Sequence, residues 1–135
     1  MTVTAGDTLP ELTIEHVDPE KMKTMAALLQ DSNPIHWDVA SVRRLGLGDR
    51  VVNQGPNNMA YVVNMLAAFA GGPENVLRLR VRFLDNVFAG DRLVAGGTVT
   101  EVTEETIECD VWLAKDGDQP VLSGSAVVRA KPQSR

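Results

Sequence analysis

Between Gly55-Pro56 and Gly71-Gly72-Pro73 the chain is apolar on nearly every side of a helix: Met59, Val62, Val63, Leu66, Ala67 and Phe69 leave almost no polar stripe. A helix at a protein surface shows one apolar stripe and one polar face, so a helix lacking the polar face has to be enclosed. Glycine and proline at both ends punctuate the stretch as a single element. The rest of the chain must therefore supply a layer that wraps this helix.

Downstream the apolar period changes to two. Residues Asn75 to Leu84, Arg92 to Thr103, Thr106 to Lys115 and Gln119 to Ala130 read as four strands. Turn signals at Ala89-Gly90-Asp91, Glu104-Glu105 and Asp116-Gly117-Asp118 link them, and links this short favour an antiparallel meander. Upstream, Leu9 to Val17 reads as a short strand. Asp18 then caps, and Pro19 opens, a helix running from Glu20 to Gln30. It stops near Asp31, because Asn33-Pro34 disfavours a continued helix. Asp38 to Leu45 forms a short helical connector ending at Gly46. A chain of 135 residues is one domain by length, residues 1–135. The predicted class is α+β: a hotdog fold, with an antiparallel five-stranded sheet wrapped around a central helix.

The formal net charge of −5 argues against nucleic-acid binding, which needs a basic surface. One cysteine excludes an intrachain disulfide, and no Cys/His cluster has zinc-ligand spacing, so no metal is expected. The start, Met1 to Asp7, lacks the basic and apolar character of a secretory signal, and no segment reaches membrane-spanning length. A cytoplasmic protein without membrane contact is expected.

Chemistry concentrates in Asp31-Ser32-Asn33-Pro34-Ile35-His36. Histidine is suited to proton transfer near neutral pH, and a carboxylate in the same stiffened loop can orient it and help hold a water. The residues alone leave a second reading open, in which Asp31 caps backbone groups and His36 is an ordinary loop histidine. Gly55 adds weight to the first. It starts a helix whose body has to be buried, so free N–H groups and the positive dipole end form a fixed platform for a developing oxyanion. Its lack of a side chain also allows a positive φ. Elsewhere, Arg78, Arg80 and Arg82 alternate with Leu77, Leu79, Val81 and Phe83, putting guanidinium groups on one sheet face and the apolar set towards the helix. Cys109 reads as a small core filler, and His16, Trp37 and Trp112 carry no site.

The run Asp31-Ser32-Asn33-Pro34-Ile35-His36 resembles the D-x-N-P-[ILV]-H signature of MaoC-like (R)-specific enoyl-thioester hydratases and 3-hydroxyacyl-thioester dehydratases. Val51-Val52 before Gly55, and Arg82-Phe83 followed by Gly90-Asp91, match the later order of that family. The resemblance implies water addition to, or removal from, acyl thioesters carried by coenzyme A or acyl carrier protein, with no further cofactor. It implies Asp31 and His36 as the acid–base pair and the Gly55 N–H as donor to the thioester oxygen. Asn33, Gln54, Asn58, Arg82 and Phe83 become the implied substrate-binding residues, and a homodimer or a heteromer of hotdog subunits the implied assembly. Two positions depart from the pattern, Gln54 where histidine is usual and Asn86 where proline is common. The polar helix entry Asn53-Gln54-Gly55-Pro56-Asn57-Asn58 suits a functionalised acyl group. Two alternatives are a hotdog acyl-thioesterase and a subunit of a heteromeric enoyl-CoA hydratase with reduced activity of its own.

Overall fold

The computed structural model describes residues 2–116 and 119–130. In order these form β1 (Leu12–Ile14), α1 (Pro19–Leu29), α2 (Val39–Arg44), α3 (Gly55–Ala70), β2 (Val76–Phe83), β3 (Leu93–Val102), β4 (Thr106–Lys115) and β5 (Gln119–Arg129). Single 3₁₀ turns occupy Pro34–His36 and Pro73–Asn75. The five strands make one antiparallel sheet ordered β1-β3-β4-β5-β2, with α3 packed on its inner face: the hotdog arrangement. No helix among the described residues is long and apolar enough to cross a membrane.

The expected meander holds for β3, β4 and β5 only. β2 leaves the sequence order and pairs with β5, with Arg80 opposite Ser125 and Val81 opposite Gly124. The reason lies in the link between β2 and β3, where residues 87 to 89 bond the segment before α3 and not a hairpin partner. Asn53 N–H donates to Val87 O at 2.7 Å, Ala89 N–H to Val51 O at 2.9 Å, and Val52 bridges Phe88. Gly90, at φ 85°, turns the chain so that its N–H reaches Val17 O at 2.8 Å. Gly117 and Asp118 of the third expected turn lie outside the described residues.

Three further expectations are corrected. The first strand is shorter than Leu9 to Val17, because Pro10 has no N–H to give the ladder: Leu9 N–H bonds Gly97 O at 2.9 Å, and regular pairing starts only at Leu12. In β2 the apolar set does not all face the helix. Leu79 and Val81 are half-buried, whereas Leu77, at a register shift, and Phe83 are 45% and 51% exposed on an edge strand. The third correction concerns α3. Val62, Met65 and Leu66 are buried against the sheet, but Met59, Ala60, Val63 and Ala67 are only half-covered and Asn64 and Ala68 are exposed. One sheet covers one side of a helix, and the described residues supply no second layer for the other.

The crossover that holds the 51–53 segment is locked by Asp91. Its carboxylate accepts from Phe88 N–H at 2.8 Å and pairs with Arg50 at 2.9 Å and Lys115 at 3.4 Å. Burial alone pushes the carboxyl upward, but these three partners outweigh it and hold Asp91 below the ordinary carboxylate range. A carboxyl depressed in the folded state contributes stability above its unfolded pKa and loses it as pH falls through the folded value. The difference in thermal midpoint between wild type and Asp91→Asn is therefore expected to be full at neutral pH and to close below about pH 4. Leu66→Ala, at a fully buried position of α3, is expected to cost about 2–5 kcal/mol in urea unfolding.

Candidate active site

α1 ends at Gln30, which takes the left-handed conformation (φ 53°), and Asp31 N–H closes back on Ala26 O at 2.9 Å. Two nested side-chain turns follow. Asp31 Oδ1 accepts from Asn33 N–H at 3.0 Å and Asn33 Oδ1 from Ile35 N–H at 3.2 Å. Pro34 then opens the 3₁₀ turn whose last residue is His36. The result is that a sequence separation of five residues becomes a side-chain contact: His36 Nε2 lies 3.5 Å from Asp31 Oδ2.

The other ring nitrogen decides what that contact can do. His36 Nδ1 is 2.6 Å from Val52 O, and a carbonyl oxygen only accepts, so Nδ1 carries the proton. In the neutral ring Nε2 then presents a lone pair beside a carboxylate oxygen, at a separation too long for a good direct hydrogen bond. Two acceptors side by side are a cradle for one water that donates a hydrogen to each and leaves its oxygen lone pair free. The side chains are 11% and 33% exposed, so the cradle is sheltered yet open.

At the start of α3, Asn57 and Asn58 N–H groups bond the Gln54 carbonyl at 3.1 and 3.2 Å, and Pro56 has no N–H. Among the described residues the Gly55 N–H is thus the donor of the first turn without a partner, at the positive end of a 16-residue helix. Gly55 does not use a positive φ, contrary to the sequence expectation. What it provides is space: a Cβ there would sit 3.1 Å from Cζ of Phe83. Phe83, at the end of β2, therefore lies close beside Gly55.

Behind the N–H lies a cluster of buried amides. Gln54 Nε2 donates to Met22 O at 2.8 Å, and Asn57 Nδ2 donates to Gln54 Oε1 and to Asn53 Oδ1, both at 3.0 Å. Asn53 Nδ2 donates to Asn58 Oδ1 at 2.8 Å and to the Tyr61 hydroxyl at 3.4 Å. Burial pushes the Tyr61 phenol upward, so it stays protonated. Gln54 and Asn58, 2% and 4% exposed, are members of this cluster. The polar entry Asn53 to Asn58, which from sequence suits an acyl group, instead has amides that largely bond one another; sequence reading missed Tyr61 and two backbone acceptors, Val52 O and Met22 O. The asparagine-rich helix entry signalled the cluster, but nothing in a sequence marks a carbonyl.

The remaining candidates lie elsewhere. Asn33 is exposed and caps the loop, and Arg82 is exposed on the face of β2 opposite Phe83. Arg78 and Arg80 line a groove of about 370 Å³ with Glu108 and Asp110 on the outer face of the sheet. The Cys109 thiol is pushed up to about 11, by burial first and then by the Asp110 charge, which leaves it a poor nucleophile. Among the described residues no three His, Cys, Asp or Glu side chains gather as metal ligands would.

Solved structures share the fold along nearly the whole chain. An (R)-hydratase from A. caviae involved in PHA biosynthesis superposes with a TM-score of 0.85 at 22% identity, covering 96% of this chain and 98% of its own. The R-hydratase PhaJ1 from Pseudomonas aeruginosa gives 0.83 at 22% identity, with 97% and 84% covered. A chain of the ChsH1-ChsH2 complex from Mycobacterium tuberculosis gives 0.81 at 21% identity, with 97% and 100% covered. No match is found among curated proteins. The family model of the MaoC like domain matches residues 3–115, a span that holds the Asp31–His36 loop, α3 and strands β1 to β4, and the chain belongs to the MaoC-like dehydratase family.

Proposed function

We propose that this protein interconverts trans-2-enoyl thioesters and (R)-3-hydroxyacyl thioesters, carried by coenzyme A or acyl carrier protein. The observation that carries the reading is the cradle itself: Asp31 Oδ2 and His36 Nε2 lie 3.5 Å apart, with Nδ1 committed to Val52 O. In hydration, the cradled water attacks C3 while one of its protons passes to this pair, and the pair returns a proton at C2. Negative charge builds on the thioester oxygen during attack, and the unpartnered Gly55 N–H at the α3 dipole is the donor that stabilises it. Dehydration runs the same steps backwards. Phe83, beside Gly55, is the proposed wall of the acyl site, and Asn33 and Asn58 are further proposed contacts to the acyl thioester; Arg82, on the opposite face of β2, is not among them.

A thioesterase would direct water at the carbonyl carbon, so product identity separates the two chemistries. Assembly from hotdog subunits, as a homodimer or a heteromer, is motivated by the half-covered side of α3 and by β2 as an open edge. The neighbours include chains taken from the ChsH1-ChsH2 and HadBC complexes of Mycobacterium tuberculosis, which makes a heteromeric subunit the second reading.

Purified protein is expected to convert crotonyl-CoA, or a longer enoyl-CoA, to the (R)-3-hydroxy product, read by chiral chromatography. Release of free CoA without hydroxyacyl product would transfer the assignment to a thioesterase. Asp31→Asn and His36→Ala are each expected to lower turnover by roughly a hundredfold or more, with the thermal midpoint preserved. Gly55→Val, which crowds Phe83 and the N–H, is expected to cost about 3–4 kcal/mol in kcat/KM. Sedimentation is expected to show at least a dimer, and a stable monomer at micromolar concentration with no turnover of its own would favour the heteromeric subunit.

A further inference from the structure

Gln54 sits where three parts of the site meet. On its N-terminal side, two residues back, the Val52 carbonyl holds His36 Nδ1. On its C-terminal side comes Gly55 with the unpartnered N–H. Its own side chain, 2% exposed, reaches away from both to Met22 O of α1 at 2.8 Å. Met22 lies one helical turn before Ala26, whose carbonyl receives Asp31 N–H. The amide is held at its other end too, because Oε1 accepts from Asn57 Nδ2 at 3.0 Å. Asn57 cannot turn its amide round without loss, since the same Nδ2 also donates to Asn53 Oδ1. Donor and acceptor ends of Gln54 are therefore fixed in direction, and both are spent inside the protein.

We propose that Gln54 is a positioning residue, a strut whose amide sets the spacing between α1, which leads into Asp31, and the 52–55 segment, which holds His36 and the Gly55 donor. This rests on the hydratase reading for its catalytic consequence but not for its geometry. Gln54 acts through Asp31, His36 and Gly55 and does not touch the substrate. The strut needs one donor and one acceptor on a single side chain. Neutral histidine also has one of each, so it can serve both Met22 O and Asn57 Nδ2. Glutamate, when ionised, can only accept and leaves the α1 end of the strut unmade. Methionine matches the length and serves neither end.

The test compares Gln54→Met with Gln54→His in two measurements. In enoyl-CoA hydration Gln54→Met is expected to lower kcat at least tenfold with KM within about twofold, and Gln54→His to recover most of that loss. Added to Asp31→Asn, Gln54→Met is expected to lower kcat by no more than about threefold, because the group it positions is already disabled. In the ligand-free protein, NMR of the His36 ring nitrogens and the Gly55 amide reads the geometry without any substrate. Gln54→Met is expected to shift both sets of signals, and Gln54→His to return them towards wild type. A rise in KM with unchanged kcat would make Gln54 a substrate contact and overturn the proposal. So would signals of His36 and Gly55 that stay in place in a folded Gln54→Met protein. If the wild type hydrates no enoyl thioester, the functional reading fails while the NMR comparison still decides the strut.

Discussion

The site depends on where the body of α3 is fixed. Val62, Met65 and Leu66 are buried against the sheet, and burying side chains of this size is worth about 1.5–3 kcal/mol each. A helix anchored so far down its length does not fray at its first turn. The direction of the Gly55 N–H, and of the dipole behind it, is thus set by packing remote from the chemistry. A polar stripe along α3 would have let the helix sit at the surface and would have removed that anchor.

Around this fixed end, backbone groups and two local side-chain turns orient Asp31 and His36. The Val52 carbonyl chooses the His36 tautomer, and turns closed by Asp31 and Asn33 side chains set the loop. Val52 is in turn held from both sides, through its N–H to Ile35 O at 2.9 Å and through its bridge to Phe88. The Asp91 ion pairs hold Phe88 and its neighbours in place. A charged cluster some distance along the chain is therefore mechanically connected to the histidine, by backbone hydrogen bonds whose lengths are short and whose partners are fixed.

This explains which parts of the molecule could be read from sequence. The enclosed helix, the period-two strands and the loop pairing Asp31 with His36 are local patterns, legible in a window of residues. The position of β2 is not local. Its turn signal at Ala89-Gly90-Asp91 is real, but the hydrogen bonds of that turn go to residues 17 and 51, so the strand it follows is free to pair with β5. The full enclosure expected for α3 fails for a related reason: periodicity reports that a helix needs covering and says nothing of whether its own chain does the covering. Gln54 reads as a pocket residue from its place beside Gly55, and only the distance to Met22 O assigns its amide to the interior.

The two incomplete parts of the fold coincide at the site. Gly55 begins the helix whose far side is half-covered, and Phe83 ends the strand whose outer edge has no neighbour among the described residues, yet Phe83 lies so near Gly55 that a Cβ there would sit 3.1 Å from its ring. Asp31, His36 and the Gly55 N–H thus lie between a rigid side and an open one. On the rigid side, α1, the 52–55 segment and the amide cluster are cross-linked by hydrogen bonds in which buried amide ends meet protein partners. On the open side stands the exposed ring of Phe83. Preorganisation requires stiffness where charge and protons move, and under the proposed reaction an aromatic ring that meets only an acyl chain has no such requirement. The division of the site into a hydrogen-bonded half and an edge-strand half follows from that difference.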